Sequence, residues 1–175
     1  MNIEKKFVRN YLSKQKFNSG KISAFFILTL CLVLSMFYWD SSFFISNYLS
    51  ASRDQVFNLG EYWRLFTTSF VHGDIEHLMS NSLMLFILTY FVTAFYGPYI
   101  SLVLGFIMGI IINVIVIFQY GENTTLVGAS GVIYFLWGFW LVLYVCITKH
   151  MSILSRLIRV GGIFLILLVP TTYSP

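Results

Sequence analysis

The stretch Leu126–Gly138, LVGASGVIYFLWG, contains one serine, Ser130, at the start of a long apolar run. Glycines lie close to it on both sides, at Gly128 and Gly131. A small nucleophilic side chain at the end of a membrane helix serves either in close helix packing or in an active site. The rest of the chain distinguishes these two interpretations.

The composition is unusually apolar for a chain of this length. Of the 175 residues, 58% are hydrophobic and 10% are charged, and the mean hydropathy is +0.79. A soluble domain carries roughly 25% charged residues, and one small core could not bury so many apolar side chains. We therefore expect an all-α, polytopic transmembrane helical bundle, because the apolar runs are continuous and do not alternate with polar residues.

Basic residues are concentrated in two parts of the chain. The net charge is +4 at pH 7. Most basic side chains occur near the N-terminus or between the last two apolar runs: Lys5, Lys6, Arg9, Lys14, Lys16, Lys21, Lys149, Arg156 and Arg159. This distribution is typical of cytoplasmic segments in membrane proteins, so we expect no nucleic-acid partner. Cys31 and Cys146 fall inside apolar runs, which argues against a disulfide framework and against a metal site.

Five apolar runs are candidate membrane spans. They are Lys21–Trp39, His77–Tyr96, Tyr99–Phe118, Leu126–Thr148 and Val160–Val169, the last of which is short unless it begins near Ile153. Residues 1–20 are predicted to form a basic cytoplasmic tail, and residues 21–175 the membrane domain. The stretch Asp40–Val71 is rich in aromatic side chains, so we expect a folded loop there and not disorder.

The basic residues also predict the orientation of the bundle. With the N-terminus in the cytoplasm, nine of the eleven Lys and Arg residues lie inside, and only Arg53 and Arg64 lie outside. The opposite orientation reverses this count, so the first is strongly preferred. The second and fourth spans then both begin on the external side, which places His77 and Ser130 at the same membrane face.

Polar side chains in the spans require partners inside the bundle. His77 and Asn81 are four residues apart and share a helix face, and polar groups at membrane depth usually face the bundle or a water-filled cavity. Both could also serve only in hydrogen bonds between helices, which is the role we expect for Asn113. His72, five residues before His77, is expected to be a surface residue at the membrane interface.

The residues around Ser130 suit nucleophilic catalysis. Glycine permits close approach of the backbone to a substrate, and the unpaired N–H groups at a helix N-terminus can stabilise an oxyanion. A serine nucleophile also needs a base. At ~1.5 Å rise per residue, His150 would lie roughly 30 Å from Ser130, at the far end of the fourth span. From the residues alone, His77 is the candidate base, with Asn81 beside it.

Three motifs, in order along the chain, resemble those of the rhomboid intramembrane serine proteases. They are Glu61-x-Trp63-Arg64 in the first external loop, His77-x-x-x-Asn81 on the second span and Gly128-x-Ser130-Gly131 on the fourth. The resemblance covers the chain from about Ile22 onward. It implies that Ser130 is the nucleophile and that His77 and Asn81 form the oxyanion hole with the Ser130 N–H. This replaces the interpretation of His77 as the base.

The resemblance implies supporting roles for further residues. Glu61, Trp63 and Arg64 would hold the first external loop in its fold, half-submerged beside the helices. Tyr134 would lie under the catalytic imidazole, and Gly138 would allow tight packing against a sixth helix. The family takes its general-base histidine from that sixth helix. Here five spans are visible where six are expected, and no histidine follows the one at position 150, so the general-base His is not present.

The expected function is that of an intramembrane serine endopeptidase that cleaves transmembrane segments of membrane proteins near the external face of a bacterial plasma membrane. Its partners would be a transmembrane protein substrate and the lipid bilayer, and no metal, nucleotide or prosthetic group is implied. Because the base is absent, the 175-residue chain as it stands is expected to be inactive. The alternative is a non-catalytic rhomboid-like protein that binds transmembrane helices. A transporter is less well supported, because no charged residue lies deep in any span.

Overall fold

The structure is a computed structural model that describes residues 16–119, 121, 124–148 and 151–168. Most of the predicted tail, residues 1–20, lies outside the described residues, and so does His150. The first described helix, α1 (Phe17–Trp39), begins before the predicted boundary at residue 20. The division of the chain into a tail and a membrane domain remains a prediction.

The first loop, residues 40–71, is folded, as its aromatic content predicts. It contains a 3₁₀ turn at Phe44–Tyr48, the strand β1 (Ala51–Ser52), the short helices α2 (Arg53–Phe57) and α3 (Arg64–Thr67), and a second 3₁₀ turn at Thr68–Phe70. Strand β1 pairs in antiparallel fashion with β2 (Thr125–Leu126), with Ala51 opposite Leu126. This pairing joins the first loop to the segment that precedes Ser130.

Longer helices make up most of the other described residues and confirm the predicted all-α class. They are α4 (Ile75–Tyr96), α5 (Gly105–Gln119), α6 (Ser130–Ile147) and α7 (Ile153–Leu168), with a π-helical turn at Tyr99–Leu104 leading into α5. Within the described residues, three segments are long and apolar enough to cross a membrane, namely Phe17–Trp39, Ile75–Tyr96 and Tyr99–Gln119, and α6 is apolar but shorter. The chain is therefore a multi-pass membrane protein.

The predicted starts of three spans need correction, and the first of them, α1, begins at Phe17 and not at Lys21. The second span begins at Ile75, because the Asp74 carboxylate caps the helix before the predicted start. The fourth is predicted to begin at Leu126, but α6 begins at Ser130, because the two residues of β2 are extended. The fifth begins at Ile153, which is the longer of its two predicted versions.

Glycines of α5 bring its backbone close to α6. A Cβ on Gly109 would lie 2.7 Å from Val132 Cγ2 and 3.3 Å from Val132 N, and a Cβ on Gly105 would lie 3.5 Å from Leu136 Cδ2. Leu136 is completely buried. Such contacts between small residues and a facing helix stabilise helix pairs in membranes. They hold the N-terminal half of α6, where Ser130 lies, against α5.

Candidate active site

The turn before Ser130 is fixed by the end of the first loop. The Gly128 N–H donates a hydrogen bond to the Thr68 carbonyl oxygen at 3.0 Å, and the Thr68 hydroxyl donates to the Leu126 carbonyl oxygen. Gly128 has a φ of +113°, a backbone conformation that glycine adopts far more readily than other residues. These contacts and this conformation define how the chain enters α6.

His72 lies against the same turn, and its side chain is buried. It is only 1% exposed, so the expectation that it is a surface residue is wrong. The Ala129 N–H donates to His72 Nε2 at 3.4 Å, and His72 Nδ1 lies 3.3 Å from Ser35 Oγ of α1. The His72 N–H donates to the same oxygen at 3.1 Å, and Trp39 Nε1 donates to the His72 carbonyl oxygen at 2.7 Å. These partners offset the cost of burying the imidazole.

Burial also keeps the His72 imidazole neutral. Removal from solvent is the largest effect that lowers its pKa from 6.5 to about 4, and the nearby His77 lowers the pKa further, while Asp74 acts in the opposite direction. The rings of His72 and His77 meet edge to face, with centroids 5.1 Å apart. One nitrogen of the neutral His72 ring is therefore available as an acceptor near neutral pH.

The structure brings His77 and Asn81 against Gly128. A Cβ on Gly128 would lie 2.9 Å from both Cε1 and Nε2 of His77, and 3.3 Å from Asn81 Nδ2. The two side chains therefore occupy the space beside the backbone just before Ser130. The Asp74 carboxylate accepts from the His77 N–H at 2.7 Å and so fixes the first turn of α4.

Hydrogen-bond donors that could bind an oxygen atom of a ligand lie close together beside Ser130. Asn81 Nδ2 is buried and has no hydrogen-bond partner among the described residues, which is costly unless water or a ligand atom satisfies it. Ser130 is the first residue of α6 and is only partly buried. The N–H groups of a first helical turn have no partner within the helix. This arrangement can stabilise negative charge on an oxygen atom beside Ser130.

Arg64 makes the central contacts of the first loop. It is only 3% exposed, and its Nε lies 2.6 Å from Glu61 Oε2. One terminal nitrogen donates to the carbonyl oxygens of Asn47 and Ser50 at 2.7 and 2.8 Å. Trp63, by contrast, is 50% exposed. Glu61 and Arg64 thus connect separate parts of the first loop, whereas the indole of Trp63 remains half outside it.

Asn113 joins α5 to the first loop. Its Nδ2 donates to the Leu65 carbonyl oxygen at 3.0 Å and to Ser69 Oγ at 3.1 Å, so its partners lie in α3 and the following turn and not in another membrane helix. Its Oδ1 faces α6, where a Cβ on Gly131 would lie 2.9 Å away. Asn113, which belongs to α5, therefore contacts both the first loop and the start of α6 and fixes their relative positions.

The face of α6 that carries Tyr134 and Gly138 is open. Tyr134 is 43% exposed, and a Cβ on Gly138 would have no atom within 4 Å among the described residues. In those parts of the chain, no group of three His, Cys, Asp or Glu side chains could hold a metal ion. The candidate site thus lies where α4, the turn before α6 and this open face meet.

Replacing Gly128 with alanine is expected to lower the thermal stability and to displace His77. The methyl group would enter the space of the His77 ring, and the φ of +113° costs other residues about 1–3 kcal/mol. Gly60→Ala is the matched control, because Gly60 has a φ of +72° but nothing lies within 4 Å of its Cβ. Thermal unfolding in detergent measures both losses. Equal losses would show that His77 does not pack against Gly128.

Comparison with known proteins agrees with the motifs. A family model described as Rhomboid domain matches residues 59–175, which is more than half of the chain and includes His77 and Ser130. No curated protein and no solved structure matches the chain. The family resemblance inferred from the sequence is confirmed by the match, and the chain belongs to the rhomboid family.

Proposed function

We propose that this chain supplies the nucleophile and the oxyanion-stabilising groups of an intramembrane serine endopeptidase that cleaves transmembrane segments of membrane proteins. The observation that carries the proposal is the buried Asn81 Nδ2, which lacks a partner among the described residues and lies beside Gly128 and His77 at the start of α6. An amide donor that is unpaired before the reaction is available for an oxygen that gains negative charge during it. Membership of the rhomboid family supports the same reaction class.

Ser130 is the proposed nucleophile. Its hydroxyl oxygen attacks the carbonyl carbon of the scissile peptide bond, and the carbonyl oxygen becomes an oxyanion. Asn81 Nδ2, a ring N–H of His77 and the Ser130 N–H donate hydrogen bonds to that oxygen. The tetrahedral intermediate then expels the amine, leaves an ester on Ser130, and water hydrolyses this acyl-enzyme.

The reaction requires a base that takes the proton of the Ser130 hydroxyl and returns it to the nitrogen of the leaving amine. His72 is unsuited to this role, because its Nε2 accepts from the Ala129 N–H. In the rhomboid family, the resemblance implies a histidine on a helix that packs beside Tyr134 and Gly138. That face of α6 is open among the described residues, so it can receive such a helix. Tyr134 would then support the imidazole from below.

The proposal includes an orientation in the membrane. Exposed aromatic side chains occur near the end of α1 that lies beside the site: Trp39 is 38% exposed, Phe43 45% and Phe44 77%. Aromatic side chains prefer the membrane–water interface. Arg156 and Arg159, which favour the cytoplasmic side, lie in α7 beyond the far end of α6. We therefore propose that the N-terminus lies in the cytoplasm and that the site lies near the external face of the membrane.

A fluorophosphonate probe tests the assignment of Ser130. We expect slow labelling of the 175-residue chain in detergent, and faster labelling together with cleavage of a transmembrane substrate when the chain is extended by a helix that carries a histidine. Ser130→Ala abolishes both, and Asn81→Ala lowers cleavage by about 10²–10³-fold. Ser42→Ala, at an exposed serine of the first loop, retains parental rates. Equal labelling of parent and Ser130→Ala contradicts the proposal.

A further inference from the structure

We propose that His72 is a positioning residue for the nucleophile, because its imidazole accepts the Ala129 N–H and so fixes the backbone immediately before Ser130. The inference rests on the proposed function, since it concerns the geometry of the same serine. It stands on a continuous series of contacts from Ser35 in α1, through the His72 ring, to the turn that begins α6.

The contacts assign the tautomer of His72. A backbone N–H can only donate, so Nε2 must accept from Ala129 and cannot carry a proton. In a neutral imidazole the proton then lies on Nδ1, which donates to Ser35 Oγ at 3.3 Å. The Ser35 oxygen also accepts the His72 backbone N–H at 3.1 Å. Ser35 therefore fixes both the ring and the backbone of His72.

Ala129 depends on this acceptor because it is completely buried. The N–H of the preceding residue, Gly128, is already bonded to the Thr68 carbonyl oxygen. Without the His72 ring, the Ala129 N–H would be buried without a partner, which costs more than a hydrogen bond contributes. If the peptide group between Gly128 and Ala129 rotated toward another acceptor, the backbone that follows would rotate as well. The N–H of Ser130 would then point away from the oxyanion position.

The groups around His72 allow it to remain an acceptor over a wide range of pH. The titratable groups that face it are His77 of α4 and Asp74 at the cap of that helix. Ser35 and Trp39 of α1, and Ala129, which reaches the ring from the turn before α6, carry no charge. The pKa of His72 in the folded protein is about 4, below the ordinary 6.5. The hydrogen bond from the Ala129 N–H is therefore present above about pH 4, and it is lost when the ring binds a proton at lower pH. Between pH 6.5 and about pH 4, His72 is protonated in the unfolded chain but neutral in the folded protein. The free energy of unfolding therefore declines as the pH falls through this range.

Two variants at position 72 distinguish the role of the His72 ring as a hydrogen-bond acceptor from its role in packing. His72→Gln places an amide oxygen where Nε2 now accepts, whereas His72→Phe keeps an aromatic ring of similar size without an acceptor. We expect His72→Phe to lower the rate of Ser130 labelling by about tenfold, and His72→Gln to restore most of it. In the extended, cleaving form the loss falls on kcat and not on KM. Ser35→Ala gives an intermediate loss, because it removes the other partner of the ring.

Amide hydrogen exchange and ¹⁵N spectra of the histidine ring provide readouts without catalysis. We expect the Ala129 amide to exchange about tenfold faster in His72→Phe than in the parent, and the parent spectrum to show Nδ1–H with a bare Nε2 down to about pH 4. A proton on Nε2, or unchanged Ala129 exchange in His72→Phe, overturns the inference. Labelling of His72→Phe at the parental rate also overturns it. If Ser130 takes no probe even in the form extended by a helix with a histidine, the proposed function fails, while exchange and spectra of the 175-residue chain still decide the role of His72.

Discussion

Arg64→Ala is expected to lower the free energy of unfolding by about 3–5 kcal/mol. Arg64 is buried in the first loop and binds the Glu61 carboxylate and the carbonyl oxygens of Asn47 and Ser50. Its removal leaves an anion and two carbonyl oxygens without their shared donor, in a place that water reaches poorly. Each such loss is costly because the acceptor keeps its desolvation penalty. Thermal or denaturant unfolding in detergent measures the effect.

Arg53→Ala is the matched control, because Arg53 belongs to the same loop but is exposed. Its guanidinium lies 6.0 Å from the centroid of the Phe118 ring, a contact that contributes about 0.5–1 kcal/mol at an exposed site. Arg64→Lys should fall between the two, since one ammonium group cannot reproduce the fork of a guanidinium. Equal losses for Arg64→Ala and Arg53→Ala would show that the contacts of Arg64 do not stabilise the first loop.

Gly131→Ala is expected to destabilise the fold by about 1–3 kcal/mol and to slow labelling of Ser130. The added Cβ would lie 2.9 Å from Asn113 Oδ1 and 3.1 Å from the Gly109 carbonyl oxygen. Neither atom can move freely, because one belongs to backbone and the Asn113 amide is bonded to the first loop. The start of α6 must therefore shift away from α5, and Ser130 moves with it.

Gly138→Ala, two turns later on the same helix, is the control. Nothing among the described residues lies within 4 Å of its Cβ, so the 175-residue chain should lose no stability and should gain up to about 1 kcal/mol from the better helix propensity of alanine. Unfolding in detergent compares the two glycines directly. A loss at Gly138 as large as that at Gly131 would mean that the face of α6 assigned as open is in fact packed.

The long helices could be predicted from the sequence because continuous apolar runs of spanning length leave few alternatives. Their ends could be predicted less well, because they depend on individual side chains and on distant partners. Asp74 begins α4 earlier than the apolar pattern indicates. Leu126 continues the apolar run, but it belongs to a strand, because Ala51 of the first loop pairs with it.

The residues of the candidate site could likewise be predicted only in part from the sequence. The spacing of His77 and Asn81, and the small residues around Ser130, are local patterns that a sequence displays directly. His72 has no such pattern, because its partners are Ser35, 37 residues earlier, and Ala129, 57 residues later. A polar residue beside an apolar run is typical of an interface, and only these distant contacts make its burial favourable. No periodicity could have revealed them.

The hydrogen bonds that join Thr68 and His72 to the turn before α6 also have a consequence for biosynthesis. They join residues separated by 58 and 57 positions, and proteins are synthesised from the N-terminus. The first loop therefore emerges well before Ser130 is synthesised. Its binding groups must pair with water until α4 and α5 have entered the bilayer and α6 arrives. The hydrogen bonds that fix the backbone before Ser130 therefore form only late in membrane insertion, after the start of α6 has been synthesised.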